Sequence, residues 1–308
     1  MRPGPADPYA EVMDSVQVRP MREDDLRSAE RASAVTFLEA ERSTGRVGDP
    51  EAEPRSAVAS EQWIDRMRFF LSVDPGGCWV AVDGDEGAAG TVGFAISQNR
   101  GRLWFLATYG VLPSHQGRGV GKRLMDAALA HADGRPGIFS SSIHPGATRR
   151  YRMAAFSLHP QMQMVGTVDR STLPAVHGLR EGRADDFAWM DELDQELRGA
   201  GHGPDHGYLL GTRRLVVSRD GARPGYVYLD VRGRASLLAA RHPETAQTLL
   251  WEALASSRGS TLVNCITTAN EWAIDVGLAA RLDIGQEGYI AVRGMPVPAP
   301  YLASGHFL

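Results

Sequence analysis

The segment VRPMREDDL at 18–26 returns as LREGRADDF at 179–187, keeping both arginines, both aspartates and the apolar ends. GRLWFLA at 101–107 returns as GRASLLA at 233–239, and KRLMDAALA at 122–130 returns as QTLLWEALA at 247–255. Matches that recur in the same order mark an internal duplication, which constrains the chain to two related domains. Its 308 residues ask for the same division, because single cores stop growing near ~250–300 residues. The predicted layout is a flexible N-terminal extension over 1–15, a first domain over 16–172 and a second over 173–308.

The first copy alternates strand and helix patterns. VQVRPM (16–21) alternates like a strand, and the acidic EDDL after it suits a helix N-terminus, where carboxylates complement the dipole. Trp63, Met67, Phe70 and Leu71 recur at helical spacing over 61–71. CWVAVD (78–83), TVGFAI (91–96) and RLWFLATYGVLP (102–113) read as strands, the last apolar on both faces and therefore central. A broad apolar stripe from Val120 predicts a helix. A strand over 138–144, a helix over 147–158 and a strand over 162–168 follow, giving the order β-α-α-β-β-β-α-β-α-β.

The distance between matching segments falls along the chain, from 161 to 132 to 125 residues. The second copy is therefore shorter by 29 (161 minus 132) around its first helix, and by 7 more (132 minus 125) after its central strand. Those seven fall where the first copy carries QGRGVG, residues 116–121; the second copy has only ARHPETA there. The duplicate keeps the framework and lacks the glycine-rich loop.

Gly117, Gly119 and Gly121 stand between a central strand and a helix. Successive backbone N–H groups in such a turn form an anion-binding concavity, and the helix N-terminus adds positive potential. A side chain at these positions would keep phosphate oxygens at a distance. A Walker A loop fails, because Gln116 and Arg123 stand where it needs Gly and Ser or Thr; a dinucleotide fingerprint fails at Lys122 and Leu124. Arg118, Lys122 and Arg123 crowd the first helical turn, where each cation opposes the dipole by roughly 0.3–1 kcal/mol. A polyanionic ligand turns that cost into attraction.

Gln116, Gly119 and Gly121, entered through Val111-Leu112-Pro113, resemble the Gln/Arg-x-x-Gly-x-Gly/Ala motif of the GNAT superfamily of N-acetyltransferases. Ala147, Tyr151 and Phe156 match a second signature, Asn-x-x-Ala-x-x-Leu-Tyr-x-x-x-Gly-Phe, in which His144, Arg150 and Ala155 replace the Asn, Leu and Gly. The resemblance covers about 16–170 directly and 176–308 through the internal repeat. It implies a mixed α/β (α+β) fold of two GNAT-like domains. Each would hold a central, largely antiparallel twisted sheet, splayed between its fourth and fifth strands and flanked by helices. It also implies acetyl-CoA as cosubstrate, held by Gly110, Val111, Gln116, Gly117, Arg118, Gly119, Val120, Gly121 and Lys122, with His144 and Ala147 from the second motif. The Val111 amide would polarise the thioester carbonyl, and Tyr151 would protonate the departing thiolate. The expected reaction is direct acetyl transfer to a primary amine of a small molecule or peptide. A non-catalytic acyl-CoA-binding sensor is the rival reading.

No carboxylate lies on LWFLATYGV to act as general base; His144, Thr108, Tyr109 and the serines 140–142 are the alternatives, with the Leu308 carboxylate a further one. Glu39, Glu41, Asp49, Glu51 and Glu53 alternate with arginines and are expected to form a solvated loop, and Asp83 and Asp85 a hairpin turn. His202 and His206 are four apart, but GHGPDHG is too glycine-rich for a helix, so no metal is expected. The second copy could complete the sheet of the first, wall the acceptor cleft or form a dimer interface, and the apolar APYLASGHFL end is expected to pack. A net charge of −4 spread over both signs gives no reason to expect nucleic acid as a partner. No apolar run reaches the ~18 residues of a membrane span. With two distant cysteines and no leader-like N-terminus, a cytoplasmic protein is expected, with a second copy of the chain as a candidate partner.

Overall fold

The computed structural model describes residues 16–45, 51–84 and 90–308, so the 1–15 extension, Asp49 and Asp85 lie outside it. The chain divides into two compact units, one of Met1–Asn99 with Thr108–Gly134, the other of Arg100–Ala107 with Arg135–Leu308.

In the first unit, β1 (Val16–Pro20), β2 (Cys78–Asp83) and β3 (Thr91–Arg100) pair antiparallel in that order. Between β1 and β2 run α1 (Leu26–Thr44) and α2 (Ala57–Val73). A clip sets the start of α1: the Arg19 guanidinium donates to both oxygens of Asp25, at 2.7 and 2.8 Å, and the Arg22 amide donates to the same carboxylate. Burial pushes the Asp25 carboxyl up, but these donors override it and hold it below its ordinary value. Ser56 caps α2 by accepting from the Ala59 amide, and Trp63, Ile64, Met67 and Phe70 are buried along one face. The Trp63 and Phe37 rings meet Phe94 of β3 edge-on. The strand β4 (Leu103–Val111) leads to α3 (Val120–Ala132), which buries Val120, Leu124, Met125, Ala128 and Ala132, the stripe expected of it. Glu39 and Glu41 belong to the last turns of α1 rather than to a loop, and Arg55 pairs with Glu30 at 2.9 Å. Buried positions at helical spacing, Ala29, Ala32, Ser33 and Thr36, carry the helix into that charged stretch.

In the second unit, the start of β4 pairs parallel with β5 (Gly137–Ser141), in register at Trp104↔Gly137 and Phe105↔Ile138. The helix α4 (Pro145–Met153) and β6 (Ser157–Thr167) follow. The rest of the chain supplies β7 (Leu179–Glu181), α5 (Phe187–Arg198), α6 (Pro204–Thr212), β8 (Arg214–Ser218), β9 (Gly225–Leu229) and β10 (Ala235–Ala240). After them come α7 (Pro243–Ser256), β11 (Ser260–Ile266), α8 (Trp272–Ala279), β12 (Asp283–Arg293) and β13 (Tyr301–Leu302). The strands β7, β8, β9, β10 and β13 form one antiparallel sheet in that order. β12 lies between β5 and β6, antiparallel to both, and β11 pairs with the far side of β6. The C-terminal half thus completes the sheet that β5 and β6 begin, the first of the three roles considered for it.

From β7 to β12 the element order is β-α-α-β-β-β-α-β-α-β, the order found from β1 to β6. The N-terminal clip recurs as well. Arg180 donates to both Asp186 oxygens at 2.8 and 2.5 Å, and the Arg183 amide to Asp186 at 2.9 Å. The architecture is mixed α/β with mostly antiparallel strands flanked by helices, as expected. Among the described residues no helix is long and apolar enough to cross a membrane.

Two expectations are corrected. GHGPDHG does not preclude a helix: α6 begins at Pro204, a residue suited to a first helical turn, and His206 lies within that turn. Leu308 is not free to act as a base. It is buried, and its carbonyl oxygen accepts from the Arg198 guanidinium.

Candidate active site

The loop residues fall in the first unit. β4 ends at Val111, the Leu112 amide donates to Val92 O at 2.8 Å, and a single 3-10 turn spans Pro113–His115. The Gln116 side chain folds back, and its Nε2 donates to Val111 O at 3.0 Å, which closes the loop on the strand end. Gly117 (φ 78°) and Gly119 (φ 80°) both occupy the left-handed region that favours glycine. A Cβ at Gly117 would meet nothing within 4 Å, so glycine is required there by backbone conformation, on a face open to an incoming group. Gly119 is the N-cap of α3 and brings no side chain to its amides. The first-turn N–H groups are left for a ligand or solvent.

Gly121 and Gly110 have a different reason. A Cβ at Gly121 would lie 2.5 Å from the Tyr109 hydroxyl, which donates to Gly121 O at 2.8 Å. One at Gly110 would lie 2.8 Å from the Phe94 ring. The loop is also pinned from the side: His115 Nε2 lies 3.1 Å from the Asp83 carboxylate, and its Nδ1 lies 2.9 Å from Ser114 Oγ. Sequence reasoning missed this pair, because the contact joins residues 32 positions apart. Its view of the three cations also needs revision. Lys122 is paired with Asp126 at 2.6 Å, and Arg123 donates to Val16 O at 2.7 Å. Arg118 is exposed, with no partner among the described residues.

His144, Ala147 and Tyr151 fall in the second unit. His144 caps α4: its Nδ1 accepts from the Ala147 amide at 3.4 Å, and its carbonyl accepts from the Thr148 amide and hydroxyl. The imidazole thereby does what a capping Asn does. Ala155, at the motif's Gly position, sits at φ 64°, a strained conformation for a residue with a Cβ. Tyr151 is buried, with its ring 4.5 Å from that of Phe139. Burial pushes its phenol up to about 12, partly offset by a hydrogen bond with Ser141. Ser141 Oγ in turn donates to Ser142 O at 3.0 Å.

A carboxylate not considered from sequence lies on the strand that pairs with Ser141, two residues from the residue opposite it. β12 is bulged where it passes the end of β5, its register shifting between Gln286 and Tyr289, and Tyr289 stands opposite Ser141. Gly288 (φ 51°) comes so close that a Cβ would lie 1.7 Å from Ser141 O. Glu287 is exposed at this bulge. Buried Cys265 is pushed up to about 12, first by desolvation and then by the Glu287 charge, with a Ser140 hydrogen bond opposing both. No local pattern in the sequence would have brought Glu287 to β5; only the strand pairing does.

Where the first half places residues 112–119 between β4 and α3, the second half has only residues 241–242 between β10 and α7. The span is too short for a glycine cradle, as the falling offsets predict.

Over residues 36–156 the chain matches the Acetyltransferase (GNAT) family. That segment holds the whole glycine-rich loop and the helix carrying Tyr151. Solved structures with the same fold include a candidate acetyltransferase from Pyrococcus horikoshii, at 15% identity and TM-score 0.72, covering 96% of both chains. A GCN5-related N-acetyltransferase from Sphaerobacter thermophilus aligns at 16% identity and TM-score 0.58, over 91% of this chain and 96% of that one. Another from Kribbella flavida aligns at 18% identity and TM-score 0.55, over 90% and 71%. At these identities the likeness is one of fold, and the fold is that of GNAT acetyltransferases. No curated protein matches the sequence.

Proposed function

We propose that the chain is an acetyl-CoA-dependent N-acetyltransferase that moves the acetyl group directly to a primary amine of a small molecule or peptide. The observation that carries this reading is the Gly117–Gly119 turn, whose left-handed glycines open onto an uncapped helix start within the family-matched segment. There the pyrophosphate of CoA accepts from the first-turn amides and pairs with Arg118. Gly110, Val111, Gln116, Val120, Gly121 and Lys122 form the rest of that cradle, while His144 and Ala147 fix the start of the helix bearing Tyr151.

As the amine attacks the thioester, negative charge develops on the carbonyl oxygen, and the Val111 amide stabilises it. Tyr151 protonates the departing thiolate. Its raised pKa keeps it in the protonated form, and a thiolate formed in similarly buried surroundings has its own basicity raised by the same desolvation. Glu287 accepts a proton from the acceptor's ammonium group, leaving the neutral amine to attack, and so supplies the base that the central strand lacks. The repeated arginine–aspartate clip and the repeated element order support an origin by duplication. The C-terminal copy, two residues long at the loop position, has a structural role in this account.

Incubation with acetyl-CoA and a panel of primary amines tests the proposal by the release of free thiol. Acetyl-CoA binding without thiol release across the panel would replace the enzyme with a sensor.

A further inference from the structure

The C-terminal half holds a buried polar cluster that acetyl transfer does not use. Asp191 and Asp194 lie one turn apart on α5, and His206 faces them from the first turn of α6. His206 Nε2 is 3.4 Å from Asp191 Oδ1 and 3.3 Å from Asp194 Oδ2. Two atoms here, Asp194 Oδ2 and His206 Nε2, are fully buried and make no hydrogen bond. An unsatisfied buried polar group costs about 1–3 kcal/mol, more if charged, so two aimed at one point call for an occupant.

The spacing identifies it. Charge-assisted N–H···O contacts close to about 2.7–2.9 Å, shorter than either distance here. Ligand atoms bound at about 2.0–2.1 Å around a tetrahedral ion lie about 3.3–3.4 Å apart, which matches both distances from His206 Nε2. Hydrogen bonds orient each residue, and for Asp191 the bonded oxygen is the same Oδ1 that faces His206 Nε2. His206 Nδ1 faces the Tyr228 hydroxyl at 3.2 Å, Asp194 Oδ1 accepts from the Tyr226 hydroxyl at 2.7 Å, and Asp191 Oδ1 accepts from the Gly203 amide at 2.8 Å. An imidazole anchored through one nitrogen and turned to a common point with the other is the arrangement of a metal-bound histidine. The Asp191 side chain is 37% exposed, which leaves a way in and a position for water. Two carboxylates and a neutral imidazole balance the charge of a divalent ion.

We propose that Asp191, Asp194 and His206 bind a divalent transition-metal ion of the zinc class, joining α5 to α6. The competing occupant is a proton, with His206 as an imidazolium between the two carboxylates.

The full chain, stripped with EDTA and freed of chelator, is titrated with zinc chloride by calorimetry, alongside Asp191→Asn and His206→Gln. Asp191→Asn keeps the acceptor for the Gly203 amide at a partly exposed position, and an unchanged circular dichroism spectrum confirms its fold. The expected result is one zinc per chain, weakened by at least about tenfold in Asp191→Asn, with zinc-edge absorption showing one imidazole and oxygen ligands. Absence of zinc binding to the parent overturns the proposal, as does binding that Asp191→Asn leaves unchanged.

Discussion

Replacing Tyr151 with Phe removes one hydroxyl and little else. The ring keeps its place 4.5 Å from Phe139, and Ser141 loses a bonding partner while still donating to Ser142 O. Loss of one ordinary hydrogen bond costs about 0.5–1.5 kcal/mol, and in a unit of this size lowers Tm by about 1–6 °C. If the phenol is the general acid, turnover falls far more, by about 10²–10⁴-fold, or about 3–5 kcal/mol in the barrier. The two consequences are separable by thermal denaturation and by steady-state thiol release with an accepted amine. CoA affinity by calorimetry should stay within about twofold, because the change removes a transition-state interaction only. The acid acts in its protonated form, and burial has pushed it up to about 12, so Tyr151 imposes no alkaline fall in kcat up to pH ~10. A variant whose kcat stayed within about threefold of the parent would rule out Tyr151 as the general acid.

Glu287→Gln removes the proposed base while leaving the β12 bulge; kcat/KM should drop by about tenfold or more and the acidic limb of its pH profile should vanish. His144→Ala should cost about 0.5–2 kcal/mol in urea denaturation by uncapping α4, with His144→Asn restoring it and neither altering the pH–rate profile. Asp186 is held down to about 2 by the Arg180 hydrogen bond, against burial and with help from Trp189 and Arg183. The folded carboxyl lies below its ordinary 3.8, so its stabilisation is complete above about pH 4 and lost as pH falls through about 2. Because the Arg180 side chain is 40% exposed, that contribution is about 1–2 kcal/mol. Urea midpoints of parent and Asp186→Asn should therefore differ at pH 6 and converge near pH 2.

Features carried by neighbouring residues were legible in the sequence. Periodicity gave the order of strands and helices, and the glycines gave the loop, because both are local consequences of backbone geometry. The repeated clip was visible as paired arginines and aspartates, although the pairing itself appears only in the fold. Contacts across long stretches left no local mark. The insertion of β12 between β5 and β6 joins segments more than a hundred residues apart, and with it comes Glu287. Composition misled at GHGPDHG, where a proline at the helix start outweighs the glycines around it. Charge counting misled at Lys122 and Arg123, whose partners are a helix neighbour and the carbonyl of Val16.

A single CoA site at the Gly117–Gly119 turn is open to calorimetric titration of the full chain with CoA. The expected stoichiometry is one CoA per chain. Gly119→Ala should bind at least about tenfold more weakly, because a Cβ both strains a left-handed residue and blocks approach of the phosphate. Two CoA per chain, or an affinity unchanged by Gly119→Ala, would contradict it.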